Sequence, residues 1–191
     1  DGDRMQEDLV ERAKSGDHEA FSELASASIG RLYAVAVLIL RDGDRAQDAV
    51  QEALVSAWKD MRALRDPGAW DAWLHRVVVR ACYKQARKDR RRTEVELKVL
   101  PGPEPARPID LAMSVAERDE MEQELGRLPI DQRALMVLHY YADLTLEQAA
   151  EILDIPIGTA KSRLHRGLRT LRESMRDDTR ADSRQVRERT A

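Results

Sequence analysis

With 191 residues, 42% of them hydrophobic and 35% charged, the chain is long enough for one large or two small globular domains. Its single cysteine, Cys82, excludes an intramolecular disulfide and a cysteine-cluster zinc site, and is typical of a reducing cytoplasm. The longest uninterrupted apolar run, residues 34–40, is far shorter than the roughly 18 residues of a membrane span. No membrane insertion is therefore expected.

Charge along the chain alternates between acidic and basic blocks. Residues 61–92 carry ten basic and three acidic side chains, and residues 161–191 carry ten and five. The blocks at 1–60 and 93–160 are acidic, which brings the net charge of the whole chain to −3. Because a phosphate backbone responds to the local field, the two basic blocks favour nucleic-acid binding. The alternative at this point is two solvated basic helix faces.

The first half of the chain predicts four helices. A short one surrounds residues 5–14, and Asp17 is expected to cap a second, whose apolar residues recur every three or four positions. Asp44 is expected to open the third, with Gln47 in the capping-box position three residues later. Asp66-Pro67 predicts the start of the fourth, which turns strongly basic toward residue 92.

A proline-rich segment then divides the chain. Four prolines between residues 101 and 108 cannot lie in a helix interior and are typical of an extended spacer. We therefore predict an all-α protein with two small helical domains, at residues 1–92 and 111–176, joined by a flexible tether at 93–110. The polar residues 177–191 are predicted to be a disordered tail.

The second domain predicts a helix-turn-helix. Its helices are expected at about residues 111–127, 131–141, 145–153 and 158–175, with Thr145 and Gln148 forming a capping box before the third. Apolar residues line one face of the last helix, and polar or basic residues occupy the other. That face predicts DNA contacts, with arginine suited to guanine in the major groove. The alternative is a basic amphipathic helix that packs on a partner or a membrane. The candidate DNA-binding residues here are Lys161, Ser162, Arg163, His165 and Arg166.

Motifs in both halves resemble one family. Residues 158–167 (GTAKSRLHRG), preceded by YYADLT at 140–145, are similar to the fourth conserved region of bacterial extracytoplasmic-function sigma factors, group 4 of the sigma-70 family. Residues 44–58 (DRAQDAVQEALVSAW) resemble the region that docks on the β′ clamp helices of RNA polymerase. Residues 73–80 (WLHRVVVR) resemble the helix that engages the promoter's minus-ten element.

The resemblance implies a factor that directs RNA polymerase to promoters and has neither catalytic activity nor a cofactor of its own. Implied partners are core RNA polymerase, through its β′ clamp helices and β flap, promoter DNA and an anti-sigma factor. The implied location is the cytoplasm, and the nucleoid when the holoenzyme is assembled. The implied polymerase-binding residues are Gln47, Asp48, Gln51 and Glu52; the implied minus-ten residues are Arg62, Arg65, Arg76, Arg80, Lys84 and Arg87.

Two features refine the implied minus-ten surface. Arg80 and Lys84 stand where the family often carries Asn and Asp, which favours phosphate contacts over base reading. The implied loop at 61–70 captures a flipped base, which needs an apolar or aromatic pocket with a cationic rim. Met61, Trp70 and Trp73 are its candidate apolar residues, but a tryptophan at helical spacing is more often part of the core, and Trp73 is interpreted as a core residue.

Other functions find little support. The four histidines show no paired metal-ligand spacing, and phosphate-binding glycine motifs are missing from the sequence. His139 and Cys82 are interpreted as packed core residues. A recombinase with an appended helix-turn-helix would need a nucleophile motif that the sequence lacks. A simple repressor would leave the acidic helix at 44–58 and the first basic block unexplained.

Overall fold

The computed structural model describes residues 2–96 and 123–189, and every regular element in those two ranges is helical. Most of the predicted tether and most of the predicted helix at 111–127 lie outside the described residues. The predicted all-α fold is confirmed. The α-helices are α1 (Gly2–Lys14), α2 (His18–Leu40), α3 (Gly43–Asp60), α4 (Trp70–Glu96), α5 (Ile130–Met136), α6 (Leu146–Ile152) and α7 (Ile157–Arg189).

Helix α2 is the centre of the first domain and begins where the sequence predicts. Asp17 accepts hydrogen bonds from the backbone N–H groups of Glu19 at 3.0 Å and Ala20 at 3.1 Å. These bonds, the one from Ala20 above all, and the nearby Arg12 lower the pKa of the Asp17 carboxyl. At the other end Arg41 adopts a left-handed backbone, with φ 58°, and its N–H closes the last turn on the Val37 carbonyl.

The cap of α3 differs from the prediction. Asp42, and not Asp44, is the N-cap, because its backbone is extended and its carboxylate accepts the Arg45 N–H at 3.0 Å. Asp44 instead lies in the first turn, where a negative charge is favourable at the helix N-terminus. Gln47 is therefore not needed for a capping box, and its side chain is exposed.

The start of α4 agrees with the prediction, and its end does not. Asp66 accepts the Gly68 N–H at 3.0 Å, and Pro67 opens a 3-10 turn, Pro67–Ala69, that leads directly into the helix. The other end lies at Glu96, so α4 continues past residue 92 into the predicted tether.

The core of the first domain is aromatic and aliphatic. Trp70 is almost fully buried, with its ring 6.2 Å from that of Phe21 and 5.7 Å from that of Trp73. The neighbouring helices complete the core with the buried side chains of Leu32, Ile39, Val50, Leu74 and Val78.

The apolar character of α2 also makes it long and apolar enough to cross a membrane, by length and composition alone. Counting uninterrupted apolar residues does not reveal this, because serines, Gly30 and the charged residues Glu23 and Arg31 interrupt the helix. Residues 34–39 of α2 are all buried and belong to the packed core. The composition of α2 is thus that of a core helix.

The second domain contains the predicted helix-turn-helix, with an irregularity before it. Residues Val137–Tyr141 form a π-helical turn in which the Ala142 N–H bonds to the Val137 carbonyl at 2.9 Å. Thr145 and Gln148 then form the predicted capping box at the start of α6. The turn between α6 and α7 contains Asp154 in a left-handed conformation, with φ 54°.

Helix α7 is longer than predicted. It continues to Arg189, so the prediction of a disordered tail at 177–191 is wrong over that stretch. The physical reason is that no proline or glycine follows Gly167, and arginine, glutamate and glutamine all favour helix.

The two domains pack against each other. Helix α2 contacts α5 and the π-helical turn, and α4 contacts α6, so buried residues of both domains form one cluster. Arg133 of α5 donates from Nη1 to the Ile39 carbonyl at the end of α2, at 2.7 Å, and from Nη2 to the Leu128 carbonyl at 2.9 Å. Burial, and secondarily Arg41, lowers the pKa of Arg133 to about 10.

Candidate promoter and polymerase surfaces

The start of α7 presents the candidate DNA-reading side chains. Lys161, Ser162, His165 and Arg166 are exposed together on its outer face. Arg166 Nε donates to the Ser162 carbonyl at 3.2 Å, which holds the guanidinium along the helix. Arg163 differs, because its Nε lies 3.4 Å from Asp131 of α5 and its side chain is only 23% exposed.

Small residues place this helix against the rest of the second domain. Ala149 of α6 and Ala160 of α7 are fully buried, which lets the two helices approach closely. Gly167 is buried against α5, where an added Cβ would lie 2.9 Å from the sulfur of Met136. A larger residue at Gly167 would require the Met136 side chain to shift.

The basic face of α4 forms a second surface. Arg80, Lys84, Arg87 and Lys88 line a shallow cleft of about 560 Å³ together with Tyr83. Burial raises the pKa of the Tyr83 hydroxyl to about 12, so that hydroxyl stays neutral. The charged side chains that line the cleft are all cations, which suits a phosphate backbone, although Glu52 of α3 pairs with Lys84 at its edge.

The candidate base-capture loop is built differently from the prediction. Met61 and Trp70 are 2% and 1% exposed, so they belong to the core and cannot line an open pocket. Trp73 is half-buried and lines a cleft of about 410 Å³ with Arg65 and Arg76. Its opposite wall is α6, which contributes Gln148, Glu151 and Ile152.

The outer face of α3 carries the candidate polymerase contacts. Gln47, Asp48 and Gln51 are exposed side by side. Glu52 is half-buried instead, because it forms an ion pair with Lys84 of α4 and lies 3.9 Å from Lys88. One predicted polymerase residue is thus bound to one predicted DNA residue.

An apolar groove, which was not predicted from the sequence, adjoins this face. The groove runs between α2 and α3, has a volume of about 530 Å³ and includes Ile29, which is 46% exposed. Ile29 is not one of the buried residues of α2. An apolar residue outside that buried face is the feature of the sequence from which the groove could have been predicted. The complete lining is Ile29, Gly30, Tyr33, Gln47, Val50, Gln51 and Leu54.

Comparison with known proteins agrees with both halves of this arrangement. Residues 24–92 match the family description "Sigma-70 region 2", and residues 118–171 match "Sigma-70, region 4". The ECF RNA polymerase sigma factor SigM of Mycobacterium tuberculosis is 30% identical over 165 residues, which cover 86% of this chain and 81% of that protein. The chain belongs to the ECF sigma factors of the sigma-70 family.

Other relatives and solved structures extend the comparison. The ECF sigma factor SigW of Bacillus subtilis is 27% identical over 179 residues, covering 88% of this chain and 95% of its own. The sigma factor RpoE of Bartonella quintana, solved in complex with the anti-sigma factor NepR, is 28% identical with a TM-score of 0.70, covering 82% of this chain and 96% of that one. CnrH, solved with the cytosolic domain of CnrY, shares the fold at 20% identity, with a TM-score of 0.67. The match covers 91% of this chain and 99% of CnrH.

As a sigma factor, the chain directs RNA polymerase to specific promoters for transcription initiation. Members of this family regulate initiation and are not enzymes. The remaining reactive side chains fit that role. Burial raises the pKa of the Cys82 thiol to about 12, which leaves it unreactive, and His139 Nδ1 lies 2.7 Å from the Leu144 carbonyl. Cys82 is packed in the core, as predicted, whereas His139 is only half-buried. Within residues 2–96 and 123–189, no three His, Cys, Asp or Glu side chains are grouped to hold a metal.

The structure brings the predicted residues of this sigma factor together in part. Four α7 residues share one exposed face, and Arg80, Lys84 and Arg87 share the α4 cleft. Arg62 and Arg65 are exposed in the connection between α3 and α4, which begins with the 3-10 turn Met61–Ala63. Arg76 lines one cleft with Arg65 and also contacts Glu151 of α6, whereas Arg163 is set apart from the exposed α7 face by its ion pair with Asp131.

Proposed function

We propose that this chain is a group 4 sigma factor that holds core RNA polymerase with α3 and reads the two promoter elements with α4 and α7. The observation that carries the proposal is the exposed Gln47–Asp48–Gln51 face beside the apolar groove at Ile29. The two basic surfaces lie on other helices of the same protein. One molecule can therefore contact polymerase and DNA through separate surfaces.

The partner of the α3 face is the pair of β′ clamp helices. A basic amphipathic helix fits this surface, because the groove buries apolar side chains while Asp48 attracts cations. A groove between two helices is a common way to bind a helix. Glu52 contributes less directly than Asp48, since Lys84 already neutralises it.

The partner of the two basic surfaces is promoter DNA. Arg62, Arg65, Arg76, Arg80, Lys84 and Arg87 contact the minus-ten region, chiefly its phosphates at Arg80 and Lys84. The exposed residues Lys161, Ser162, His165 and Arg166 contact the minus-thirty-five element in the major groove, with Arg163 supporting them from the side. The second domain also docks on the β flap.

Regulation follows the pattern of the relatives. RpoE of Bartonella quintana was solved with the anti-sigma factor NepR, and the similarity to that protein supports an anti-sigma partner for this chain. The factor acts in the cytoplasm, joins the nucleoid within the holoenzyme, and needs no cofactor and no insertion into the membrane.

The decisive experiment tests the α3 face. Asp48→Lys should abolish both co-purification with core polymerase and promoter-dependent transcription, because it places a cation opposite a basic clamp helix. Asp8→Lys makes the same charge change on the exposed face of α1 and serves as the matched control. Equal polymerase binding by the two variants, with both folded by circular dichroism, would remove α3 from the interface.

A further inference from the structure

The first turn of α4 is joined to two other helices through one carboxylate. Asp71 Oδ2 accepts a hydrogen bond from Nε2 of Gln6 in α1 at 3.1 Å. Asp71 Oδ1 accepts one from Nη2 of Arg31 in α2 at 3.2 Å. On the inner side, Nδ1 of the buried His75 lies 2.8 Å from the Asp71 carbonyl oxygen. The side chain and the backbone of Asp71 are therefore held at the same time.

Helix α1 also lies against the loop at residues 61–70, which leads into α4. It contacts both 3-10 turns of that loop. At Gly68, in the second turn, an added Cβ would lie 3.5 Å from Oε1 of Glu7, so this side chain of α1 lies beside the loop backbone. The loop then ends next to Asp71, which makes the contacts described above. Helix α1 thus holds the loop both at its turns and at its exit.

The loop carries two of the proposed minus-ten residues, Arg62 and Arg65, on its exposed side. The Arg31 and Asp71 side chains are 63% and 45% exposed, so their ion pair is screened by solvent and is weak. Gln6 is half-buried and is the side chain that joins Asp71 to α1. A loop that captures a flipped base works better when its geometry is fixed beforehand, because less conformational entropy is lost on binding.

We propose that Gln6 and Asp71 are positioning residues for promoter opening, and that Gln6 holds the loop, through Asp71, in the geometry that captures a base. Neither side chain has to touch DNA, since both act through the backbone of the loop. The contacts stand on the geometry described above, while their effect on opening rests on the proposed minus-ten function of Arg62 and Arg65.

The test reverses the polarity of the bond between Gln6 and Asp71. Gln6→Glu places a second carboxylate against that of Asp71, so repulsion replaces the bond. Opening by the holoenzyme, followed by 2-aminopurine fluorescence in the minus-ten region of a promoter that it transcribes, should slow about fivefold, as the loss of one hydrogen bond allows. Asp71→Asn alone should slow opening less than about twofold, because an amide can still bond to both Gln6 and Arg31.

The double variant Gln6→Glu/Asp71→Asn should open within about twofold of the unmodified protein. Its new amide donates to the new carboxylate, while the amide oxygen still accepts from Arg31. Met5→Glu is the matched control, because it adds the same charge to α1 at a side chain that is 64% exposed, and it should leave opening unchanged. A double variant as slow as Gln6→Glu, or equal slowing by Met5→Glu, would overturn the positioning role.

Two further measurements separate positioning from stability and from the proposed function. The melting temperature and the affinity for core polymerase should be the same in all these variants, and a parallel loss of both in Gln6→Glu would make the contact purely structural. Slow opening by Arg62→Ala/Arg65→Ala with normal opening by Gln6→Glu would refute the positioning role and leave the minus-ten function of the loop intact. Normal opening by both would refute that function as well.

Discussion

The capping box at Thr145 allows a quantitative test of how the helix-turn-helix, which carries the proposed DNA-reading helix, is supported. The Thr145 hydroxyl accepts the Gln148 N–H at 3.1 Å, and the Gln148 side chain accepts the Thr145 N–H at 2.8 Å. Helix α6 has only seven residues, so its end groups are a large share of its hydrogen bonds. Thr145→Ala removes one acceptor and leaves the other bond in place.

The expected cost follows from that single lost bond. Replacing a threonine N-cap by alanine destabilises a protein by about 1 kcal/mol, within a range of 0.5–2. In a domain as small as this one, about 1 kcal/mol lowers the melting temperature by roughly 4–8 °C. Most of the molecules remain folded at 25 °C, since total stabilities are about 5–15 kcal/mol. DNA affinity at that temperature should therefore change less than about twofold.

The assay is thermal unfolding followed by circular dichroism, with promoter affinity of the holoenzyme measured by anisotropy. Thr145→Ser is the matched control, because serine retains the hydroxyl and caps as well as threonine. An unchanged melting temperature in Thr145→Ala would show that the reciprocal bonds contribute nothing. An equal drop in both variants would assign the effect to the threonine methyl group. A large loss of DNA affinity at 25 °C would mean that the cap sets the angle of α7 as well.

Two further predictions concern recognition and pH. Arg166→Ala should weaken binding of the holoenzyme to its promoter by about 1–3 kcal/mol and leave binding to a scrambled duplex unchanged. Arg169→Ala, the control, should weaken binding to both duplexes equally. Equal losses on both duplexes for Arg166→Ala would mean that Arg166 contacts a phosphate and not a base. Burial lowers the pKa of His75 below 6.5, so the unfolded chain takes up more protons as the pH falls. The contribution of His75 to the free energy of unfolding should be complete above pH 6.5 and decrease below it. In urea unfolding, His75→Gln should reduce this decrease. An identical decrease in the variant would mean that other groups cause it.

Long periodic helices and their polar caps were predictable from the sequence. The apolar stripe of α2 and the caps at Asp17 and Thr145 depend on local spacing, which the sequence contains in full. The choice between Asp42 and Asp44 was not predictable, because both residues can cap and only the extended backbone at Asp42 decides between them. The length of α7 was misjudged because polarity was taken as disorder, although the segment lacks any helix breaker.

For the candidate sites, the sequence predicted which residues share a face of one helix. It did not predict which residues of other helices they contact. A helical repeat places Arg163 and Arg166 near the same surface, but it cannot show that Asp131 of another helix approaches Arg163. The same limit applies to Trp70 and Trp73. Trp70 is buried beside Phe21 of α2, whereas Trp73 lines the cleft that α6 helps to form. Tertiary contact decides these cases, and spacing along one helix carries no information about it.

Contacts between helices also reduce the positive potential of the two basic blocks. Three predicted DNA-binding cations lie against carboxylates: Arg76 at Glu151, Lys84 at Glu52 and Arg163 at Asp131. Each pair partly neutralises a basic surface in the free protein, so the field of the two basic blocks is weaker than their residue counts indicate. DNA must displace these carboxylates as well as its own counterions.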